Sequence, residues 1–426
     1  MVAQTVLPFK LEITKDEITA HAGLAMFGEF MHAMGFPGLV DREIPGPGSG
    51  AGYRPSQFIE PLLLMLHGGG RSLEDIRQIL MDTGLREILR MDRIPSSDAV
   101  GDWLRRMGRG EGLGKFGKVN REVIRRALNR EACTDYTLDI DATQIVAEKK
   151  SARKTYKGEI GYMPIVGHIG ENGLVIGDEF REGNESPNSK NLTFIKHCAV
   201  QMPKGKRIAH FRADSATYQA DVFNWCEEND VTFAIGADLD EAVQKAIAQI
   251  PQKQWRPFRD GDIAQTVHTM NKTKKSFRLI VIRRPVQRDL FDGESPRERY
   301  SVIASNRDES AQETVLWYNR RGETSENRLK ELKIGFGMER MPCGQFGANA
   351  IFFRIGVLAY NLFVMFKQNV LPKGWRKLQV QTLRWRLYQT AGKVTLHAGY
   401  MWLRVKRWMF ALMERIRTRC IELASA

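Results

Sequence analysis

Cysteine is scarce in this chain of 426 residues, and its spacing argues against two common stabilising frameworks. The five cysteines are an odd number, they are widely scattered, and no two of them form a Cys-x-x-Cys pair. Neither a disulfide framework nor a zinc ribbon is expected from such a pattern. We therefore expect the protein to fold and work in a reducing compartment, the cytoplasm.

Long uninterrupted apolar runs are also missing. The most apolar stretch, residues 350–366, is broken by Arg354, Gly356 and Asn361, which favours a buried helix over a membrane span. The first residues have neither the basic stretch nor the long apolar core of a signal peptide. The sequence therefore predicts a protein with no membrane partner.

Positive charge, by contrast, is in excess. The chain has 64 Lys and Arg against 50 Asp and Glu, a net charge of +14. Such an excess indicates a polyanionic partner, with nucleic acid as the first candidate and an anionic membrane surface as the second. The hydrophobic fraction of 42% is ordinary for a globular protein, and the length allows two or three domains.

The order of predicted helices and strands divides the chain into five segments, and the predicted fold class is α/β. Residues 1–130 predict short helices with some basic faces, which suit either a helix-turn-helix-like DNA-binding domain or a generic helical bundle. Residues 131–237 give the order β-β-β-α-β-α-β, the order of a ribonuclease-H-like mixed sheet with helices packed on it. Residues 238–307 predict a β-rich insertion, residues 308–366 the second part of the core, and residues 367–426 a helical, basic C-terminal region.

Two aspartates share one face of the first strand predicted in this core. Apolar and acidic residues alternate from Thr137 to Thr143, so Asp139 and Asp141 point to the same side of the strand. Strands disfavour Asp, and a buried carboxylate without a partner is strongly destabilising. A cation is therefore expected there. It is either a Mg²⁺ ion, which carboxylates commonly hold, or an arginine at a strand end where the other Asp caps a turn.

A third aspartate, Asp214, follows the predicted strand from Arg207 to Ala213. In a ribonuclease-H-like sheet the first and fourth strands are neighbours, so by analogy of fold Asp141 and Asp214 would converge on a metal ion.

A later helix, predicted from Ser325 to Lys333, also carries a carboxylate. Glu326, Lys330 and Lys333 share one face of this helix over two turns. This spacing suits a metal ligand beside two phosphate-binding lysines. It also suits an ordinary salt-bridged surface helix, which is the commoner case.

These residues belong to three motifs that occur in a characteristic order. Together they resemble the bacterial insertion-sequence transposases of the DDE class, members of the ribonuclease-H-like and retroviral integrase superfamily that carry a Tyr-Arg-Glu-Lys signature. The motifs are Asp139-Ile140-Asp141-Ala142-Thr143, then Phe211-Arg212-Ala213-Asp214-Ser215, and finally Tyr318 to Arg321 followed by Glu326 to Lys333. The resemblance covers roughly residues 136–361.

The resemblance implies roles for the residues that match the motifs. Asp141, Asp214 and Glu326 would form the catalytic, metal-binding triad and hold two Mg²⁺ or Mn²⁺ ions, with Asp139 supporting them. The residues that would hold phosphates of the transposon end are Tyr318, Arg321 and Lys333, with Lys330 as a helper.

The spacing departs from the family pattern at one place, because Arg321 and Glu326 have four residues between them instead of three. Either Gly322 absorbs the extra residue as a bulge, or Arg321 is not the true counterpart of the signature arginine.

Two further sets of residues are expected to contact DNA. A basic turn after the first catalytic strand would line the DNA path through Lys149, Lys150, Arg153, Lys154 and Lys157. In the predicted insertion, Trp255 would stack on a flipped base, as tryptophan does in the family, or would instead cover apolar surface in a small β module. Near the C-terminus, basic residues interleave with Trp385, Trp402 and Trp408, and this stripe suits DNA, a second protomer or a solvated helical face.

The function implied by the resemblance is cut-and-paste DNA transposition of an insertion sequence. The enzyme would hydrolyse DNA at the terminal inverted repeats and use the freed 3′-OH to attack target DNA, as a homodimer bound to double-stranded DNA in the bacterial cytoplasm near the nucleoid. Two alternatives stay open at this point. One is a ribonuclease-H-like nuclease or resolvase that cuts without joining, and the other is a non-catalytic DNA-binding repressor.

Overall fold

The computed structural model describes residues 7, 9–48, 50–285, 298–322 and 326–425. The start proposed for the last motif helix, Ser325, and residues 286–297 of the predicted insertion lie outside the described residues. The strands are β1 (Glu17–Thr19), β2 (Asp135–Ala142), β3 (Ile145–Val146), β4 (Arg153–Lys154), β5 (Ile160–Tyr162), β6 (Ile165–Ile169), β7 (Val175–Glu179), β8 (Arg207–Ala213), β9 (Thr232–Gly236), β10 (Arg256–Phe258), β11 (Gly261–His268), β12 (Phe277–Pro285), β13 (Glu298–Ser305), β14 (Gly392–His397) and β15 (Tyr400–Arg404). The α-helices are α1 (Ala22–Ala33), α2 (Phe36–Glu43), α3 (Pro55–Gly68), α4 (Ile76–Met81), α5 (Thr83–Ile88), α6 (Ser97–Arg109), α7 (Gly112–Leu128), α8 (Asn191–Val200), α9 (Ala220–Glu228), α10 (Glu241–Ala248), α11 (Ala311–Arg321), α12 (Asn327–Lys330), α13 (Phe346–Asn369), α14 (Val380–Leu383) and α15 (Arg407–Ser425).

The chain forms two compact units, one from residues 1–100 with 366–426 and the other from residues 101–365. The predicted boundary at residue 130 is therefore not where the chain divides. Helix α7 belongs with the second unit, because its apolar face is buried there and the Asn120 amide donates to the Val175 carbonyl oxygen at 3.2 Å. The two ends of the chain, predicted as separate domains, share the first unit.

The second unit is built on a large mixed sheet, as the α/β prediction requires. In its described part the strand order is β10-β11-β12-β13-β9-β8-β2-β6-β7. Strands β2, β6 and β7 pair antiparallel, whereas β2, β8 and β9 pair parallel. The β-rich insertion is present, but it extends the main sheet because β13 pairs with β9.

The parallel pair β2 and β8 determines where the motif aspartates lie. Asp139 is the register partner of Arg212 in this pair. Asp141 and Asp214 each follow two residues later, so both emerge at the carboxyl ends of adjacent parallel strands. Ligand sites in α/β sheets commonly form at such ends.

The sheet edge at β7 is closed by two buried asparagines. Val175 accepts hydrogen bonds at its carbonyl oxygen from the amides of Asn361, at 2.9 Å, and Asn120, at 3.2 Å. Its N–H donates to the Asn361 Oδ1 atom at 2.8 Å. Because an unpaired buried strand edge leaves backbone groups unsatisfied, these helix side chains complete the edge.

Helix α13 is both long and apolar. Its 24 residues are long enough to cross a membrane, but 94% of its most apolar 18-residue stretch is buried inside the protein. Core helices have the same composition, so the structure agrees with the buried helix that the sequence predicts for residues 350–366.

The C-terminal region differs from the helical prediction. Strands β14 and β15 form a hairpin, and β1 from the N-terminal part adds a third antiparallel strand. The turn residues Ala398 and Gly399 both have positive φ, 50° and 77°. Such angles are typical of the tight two-residue turns that match the twist of a hairpin.

We expect Asn361→Leu to destabilise the protein by about 2–4 kcal/mol, because it leaves the Val175 N–H and the side-chain oxygen of Asn120 buried without partners. Urea unfolding of the variant measures this loss. Asn229→Ala, which removes one exposed hydrogen bond, serves as the control. An Asn361→Leu variant as stable as that control would contradict the role given to this amide.

Candidate active site

A buried ion pair lies beneath the motif aspartates. The Arg212 guanidinium donates from Nε and Nη2 to the two carboxylate oxygens of Asp139, each at 2.7 Å. The side chains are 5% and 0% exposed. Burial raises the pKa of Asp139, and the two hydrogen bonds from Arg212 oppose this rise. The pair is the geometrically favourable bidentate kind, which compensates best for lost hydration.

Arg212 also connects the sheet to helix α11. Its Nη1 atom donates to the Trp317 carbonyl oxygen at 2.7 Å, and its guanidinium lies 4.8 Å from the centre of the Trp317 ring. Arg307 covers the same ring at 4.0 Å. Tyr318 and Arg321 follow on this helix, so one arginine positions both the aspartate strands and the helix of the third motif.

Asp141 and Asp214 converge on the guanidinium of Arg321. The Nη2 atom of Arg321 lies 3.7 Å from Asp141 Oδ2 and 3.9 Å from Asp214 Oδ2. It also donates to the Ile140 carbonyl oxygen at 3.3 Å. The cation expected from the sequence is thus an arginine that faces two carboxylates at once.

The protonation of Asp141 reflects this environment. Burial raises the pKa of Asp141 to about 6; Arg321 opposes the rise, and the charges of Asp214 and Glu326 add to it. Burial is thus the largest cause of the rise, and Arg321 opposes it only in part. A further cation at this site would favour the ionised form of Asp141.

Tyr318 lies on the same helix as Arg321 and faces the end of β9. A Cβ atom built on Gly236 would lie 3.1 Å from the Tyr318 hydroxyl. Burial raises the pKa of Tyr318. The predicted signature tyrosine and arginine thus reach the aspartates together, with a glycine leaving room for the phenol.

Gly322 and Glu326 flank the place where the spacing departs from the family pattern. The backbone is π-helical at Gly322 and again at Glu326. Residues 323–325 lie outside the described residues, so both alternatives for the extra residue stay open and Arg321 as the signature arginine stays a prediction.

Glu326 is exposed, and its helix is anchored by a neighbour. Arg328 donates to the carbonyl oxygens of Ile169 and Gly170, each at 2.9 Å, at the end of β6. Since β6 pairs with β2, these bonds fix α12 against the strand that carries Asp141. Glu326 is close enough for its charge to act on Asp141.

Lys333 is tied to the first motif as well. Its ammonium donates to the Thr143 hydroxyl and to the Gln144 carbonyl oxygen, both at 2.9 Å. Burial lowers the pKa of Lys333, and the charge of Lys157 contributes. The lysine of the third motif therefore lies at the end of the Asp141 strand and near the basic turn.

The other predicted DNA contacts lie on the surface. Strands β3, β5 and β4 form a small sheet around the basic turn. Lys149 is half-buried, and the exposed side chains are Lys150, Arg153, Lys154, Lys157 and Lys330. Their exposure leaves them accessible to a phosphate backbone, and their DNA-binding role stays a prediction.

Trp255 is not brought to this site. Its side chain is buried in the insertion, 9% exposed, and the Arg283 guanidinium covers its ring at 4.3 Å. The structure thus places it as a covered ring of the β-rich insertion. Stacking on a flipped base stays a prediction, and it requires Arg283 to leave the ring.

Two positioning residues have no role in the sequence-based assignment. Arg212 is part of a quoted motif, and Arg328 lies inside the third, but no partner was predicted for either of them. The signal for Arg212 is its position in the sequence. It lies two residues before Asp214, just as Asp139 lies two residues before Asp141. Because β2 and β8 are parallel neighbours, these equal offsets make Arg212 and Asp139 partners across the two strands.

An open pocket of about 330 Å³ adjoins Asp214. Tyr156, Asn188, Tyr218 and Asp238 are among its lining residues. Asp214 itself is 49% exposed and accepts a hydrogen bond from the Ala216 N–H at 3.2 Å. A substrate can therefore reach this carboxylate from solvent.

The donor set fits divalent metal ions in its chemistry. Among the described residues, no group of three or more His, Cys, Asp or Glu side chains is close enough together to hold a metal. Two carboxylates nevertheless converge at Asp141 and Asp214, with incompletely compensated charge, and oxygen ligands are those that Mg²⁺ prefers. Glu326 is the third carboxylate whose charge acts there.

Comparison with known proteins gives a matching family and similar solved structures. The family described as "Transposase DDE domain group 1" matches residues 7–416. Among solved structures, the chain is similar to a piggyBac transposase synaptic complex with hairpin DNA, with 11% sequence identity, a TM-score of 0.48, and 96% of this chain and 84% of that chain covered. No curated protein matches the sequence significantly.

We expect Arg212→Met to destabilise the protein by about 3–5 kcal/mol, because it leaves the Asp139 carboxylate buried without a partner. The double variant Asp139→Leu/Arg212→Met should lose less than the sum of the single losses. Urea unfolding in a double-mutant cycle measures this coupling.

The control pair for that cycle lies on the same two strands. Arg207 and Asp135 are register partners with a 2.7 Å contact, but their side chains are 55% and 50% exposed. Their coupling should stay below about 1 kcal/mol. Equal coupling free energies in the two cycles would show that burial does not strengthen the Asp139–Arg212 pair.

We expect the raised pKa of Asp141 to make stability depend on pH without divalent metal. The folded protein holds this proton more tightly than the unfolded chain, so the contribution is complete below pH 3.8 and is lost as pH rises through about 6. In urea unfolding with EDTA, the wild type should lose stability relative to Asp141→Asn over that range. The exposed Asp308→Asn variant should follow the wild type. Parallel curves for wild type and Asp141→Asn would contradict the assignment.

Proposed function

Because this chain belongs to the DDE transposase family described as domain group 1, we propose that it is a cut-and-paste transposase of a bacterial insertion sequence. In this proposal it hydrolyses DNA at the transposon ends and uses the freed 3′-OH to join the element to target DNA. The observation that carries the proposal is the convergence of Asp141 and Asp214, from two adjacent parallel strands, on one buried guanidinium.

The strand arrangement supports a ribonuclease-H-like assignment for the core. Strands β7, β6 and β2 are antiparallel neighbours, and β2, β8 and β9 are parallel neighbours. Numbered along the chain these five strands have the order 3-2-1-4-5, which follows from the predicted β-β-β-α-β-α-β sequence. The β-rich insertion then enters between the fifth strand and the helix of the third motif.

Asp141, Asp214 and Glu326 would hold the two Mg²⁺ or Mn²⁺ ions of this reaction. When bound, such ions lower the pKa of an attacking water and stabilise the leaving 3′-oxygen. The choice between the two metals is open, because both accept carboxylate and water ligands.

The protein's own residues prepare the site for a phosphodiester. The Asp139–Arg212 pair holds the two catalytic strands in register. Arg321 reduces the repulsion between Asp141 and Asp214, while Tyr318 beside it is placed to contact a phosphate. Lys333, held at Thr143, offers an ammonium at the same end of the sheet.

The basic turn extends this surface along the DNA. The exposed cations from Lys150 to Lys157 follow directly on the strand of Asp141, so a duplex bound at the aspartates would pass them. Contacts to phosphates release counterions, and binding should therefore weaken steeply with salt.

We also propose that a homodimer pairs two transposon ends and that the enzyme acts on DNA in the bacterial cytoplasm.

The test uses a duplex that carries the inverted repeat flanking the protein's own gene. We expect Mg²⁺-dependent formation of a 3′-OH at the repeat boundary and joining to a plasmid. Both should fall at least about 1,000-fold in Asp141→Asn and Glu326→Gln, since the loss of a carboxylate removes transition-state stabilisation of more than about 4 kcal/mol. Binding to the repeat should persist in both variants.

The control is Glu241→Gln, which changes an exposed glutamate on α10 whose side chain is 84% exposed. It should cleave and join like the wild type. Cleavage without joining would assign the protein to nucleases or resolvases. Binding with no chemistry, unchanged in Glu326→Gln, would overturn the catalytic assignment and leave a DNA-binding repressor.

A further inference from the structure

The β14–β15 hairpin of the first unit exposes an unusual set of side chains. Around its tight turn the exposed fractions are 71% for Leu396, 72% for Tyr400, 42% for Met401 and 52% for Trp402. Nearer its base, Val394 is buried. The base of the hairpin is therefore packed, while the outer half presents apolar and aromatic groups to solvent.

The strand register separates these side chains by face. Lys393 pairs with Arg404, Thr395 with Trp402, and His397 with Tyr400. Because side chains alternate along a strand, these three cross-strand pairs share one face. The rings of Tyr400 and Trp402 therefore lie on the same face as Lys393 and Arg404, the pair of cations at the base of the hairpin.

Charge on and after the hairpin has one sign. Residues 392–413 contain Lys393, Arg404, Lys406 and Arg407 but no Asp or Glu. Lys393 contacts Asp16 at 2.8 Å. Within the described part of the chain, the exposed side chains of the other three have no carboxylate at ion-pair distance. Exposed apolar groups clustered in this way mark interaction sites, and the surrounding charge selects an anionic partner.

The charge also distinguishes between possible partners. A second copy of this chain would bring basic residues against the basic residues of the hairpin only at a like-charge contact, which is unfavourable, and its net charge is also +14. A nucleic acid duplex offers phosphates for the cations and base or sugar surfaces for the rings. Its major groove admits a two-stranded β-ribbon.

We propose that the β14–β15 hairpin is a DNA-binding element that enters a groove of the duplex, separate from the aspartate site. Tyr400 and Trp402 contact the interior of the groove, and Arg404, Lys406 and Arg407 bind phosphates beside it. The proposal rests on the proposed function, because it takes the transposon-end duplex as the ligand. It adds a DNA contact outside the catalytic unit.

The narrow shape of the hairpin tip is what such an entry requires. The chain reverses over Ala398 and Gly399, whose positive φ angles make the turn tight. No side chain larger than alanine lies in the turn itself, so the rings at Tyr400 and Trp402 follow close behind the tip.

Fluorescence anisotropy with the full-length protein tests this proposal. The probes are a labelled duplex carrying the inverted repeat and a scrambled duplex of the same length, each at a series of salt concentrations. Two variants are compared with the wild type. They are Tyr400→Ser/Trp402→Ser and Arg404→Gln/Lys406→Gln/Arg407→Gln.

The aromatic variant should weaken binding to the repeat duplex by about 10-fold or more, because the two rings no longer remove apolar surface from water inside the groove. The charge variant should weaken binding to both duplexes and reduce the slope of log K against log salt by about 0.9 for each phosphate that the protein no longer neutralises. Tyr400→Phe/Trp402→Phe keeps the rings and should restore most of the affinity, which separates ring contact from misfolding.

Matched controls exist elsewhere on the surface. Phe9→Ser removes an aromatic ring that is 59% exposed but lies outside the hairpin. Lys204→Gln/Lys245→Gln/Lys253→Gln removes three exposed cations and the same net charge. Hairpin variants that bind with the affinity and salt slope of these controls would overturn the proposal.

Other occupants of the hairpin would give different results. The hairpin variants could lose dimerisation in sedimentation, or binding to phosphatidylserine vesicles, while their DNA affinity stays unchanged. Either result would also overturn the proposal. The cleavage assay separates this failure from failure of the proposed function. If the wild type cleaves the repeat and the hairpin variants bind normally, only the hairpin proposal fails. If the wild type binds but never cleaves, the transposase proposal fails and the binding comparison stands.

Discussion

The buried pair of Asp139 and Arg212 is the constraint on which the site depends. Both partners lie in the core, and they are register partners in the parallel pair β2 and β8. Ions buried this deeply are tolerated only with complete pairing, so a shift of one strand along the other would leave both charges uncompensated. The register therefore has a strong energetic preference. Asp141 and Asp214 lie two residues further along these strands, so the same register brings them close together.

The same periodicity gives the two aspartates of β2 different roles. Asp139 and Asp141 share a face, but Asp139 is enclosed by Arg212 whereas Asp141 is 15% exposed at the strand end. Burial, which Arg321 only partly offsets, raises the pKa of Asp141 to about 6. A fully paired carboxylate would have little affinity for another cation. Partial compensation keeps the aspartates together and leaves them able to bind one.

The sequence predicted the elements whose pattern is local. Strand β8 was placed at its observed bounds, and the three motifs indicated the residues that the structure brings near Asp141. The predicted helical C-terminal region was wrong where β14 and β15 form a hairpin, whose third strand, β1, comes from the other end of the chain. The domain boundary was wrong for a similar reason, since α7 packs through Asn120 on β7. Arg328 was missed because its partners are backbone carbonyl groups, which leave no mark in the sequence.

The net charge of +14 counts buried and exposed cations alike, and the structure separates the two groups. Arg181, Arg212 and Arg384 are buried, and each makes hydrogen bonds or ion pairs within its own unit. These three cations stabilise the fold and compensate internal carboxylates and carbonyl groups. Other lysines and arginines are exposed, among them Lys150, Lys154 and Lys157 in the turn after β3 and Arg404, Lys406 and Arg407 around β15. Because only exposed cations meet a polyanion directly, the count of basic residues alone overstates the charge that such a partner would encounter.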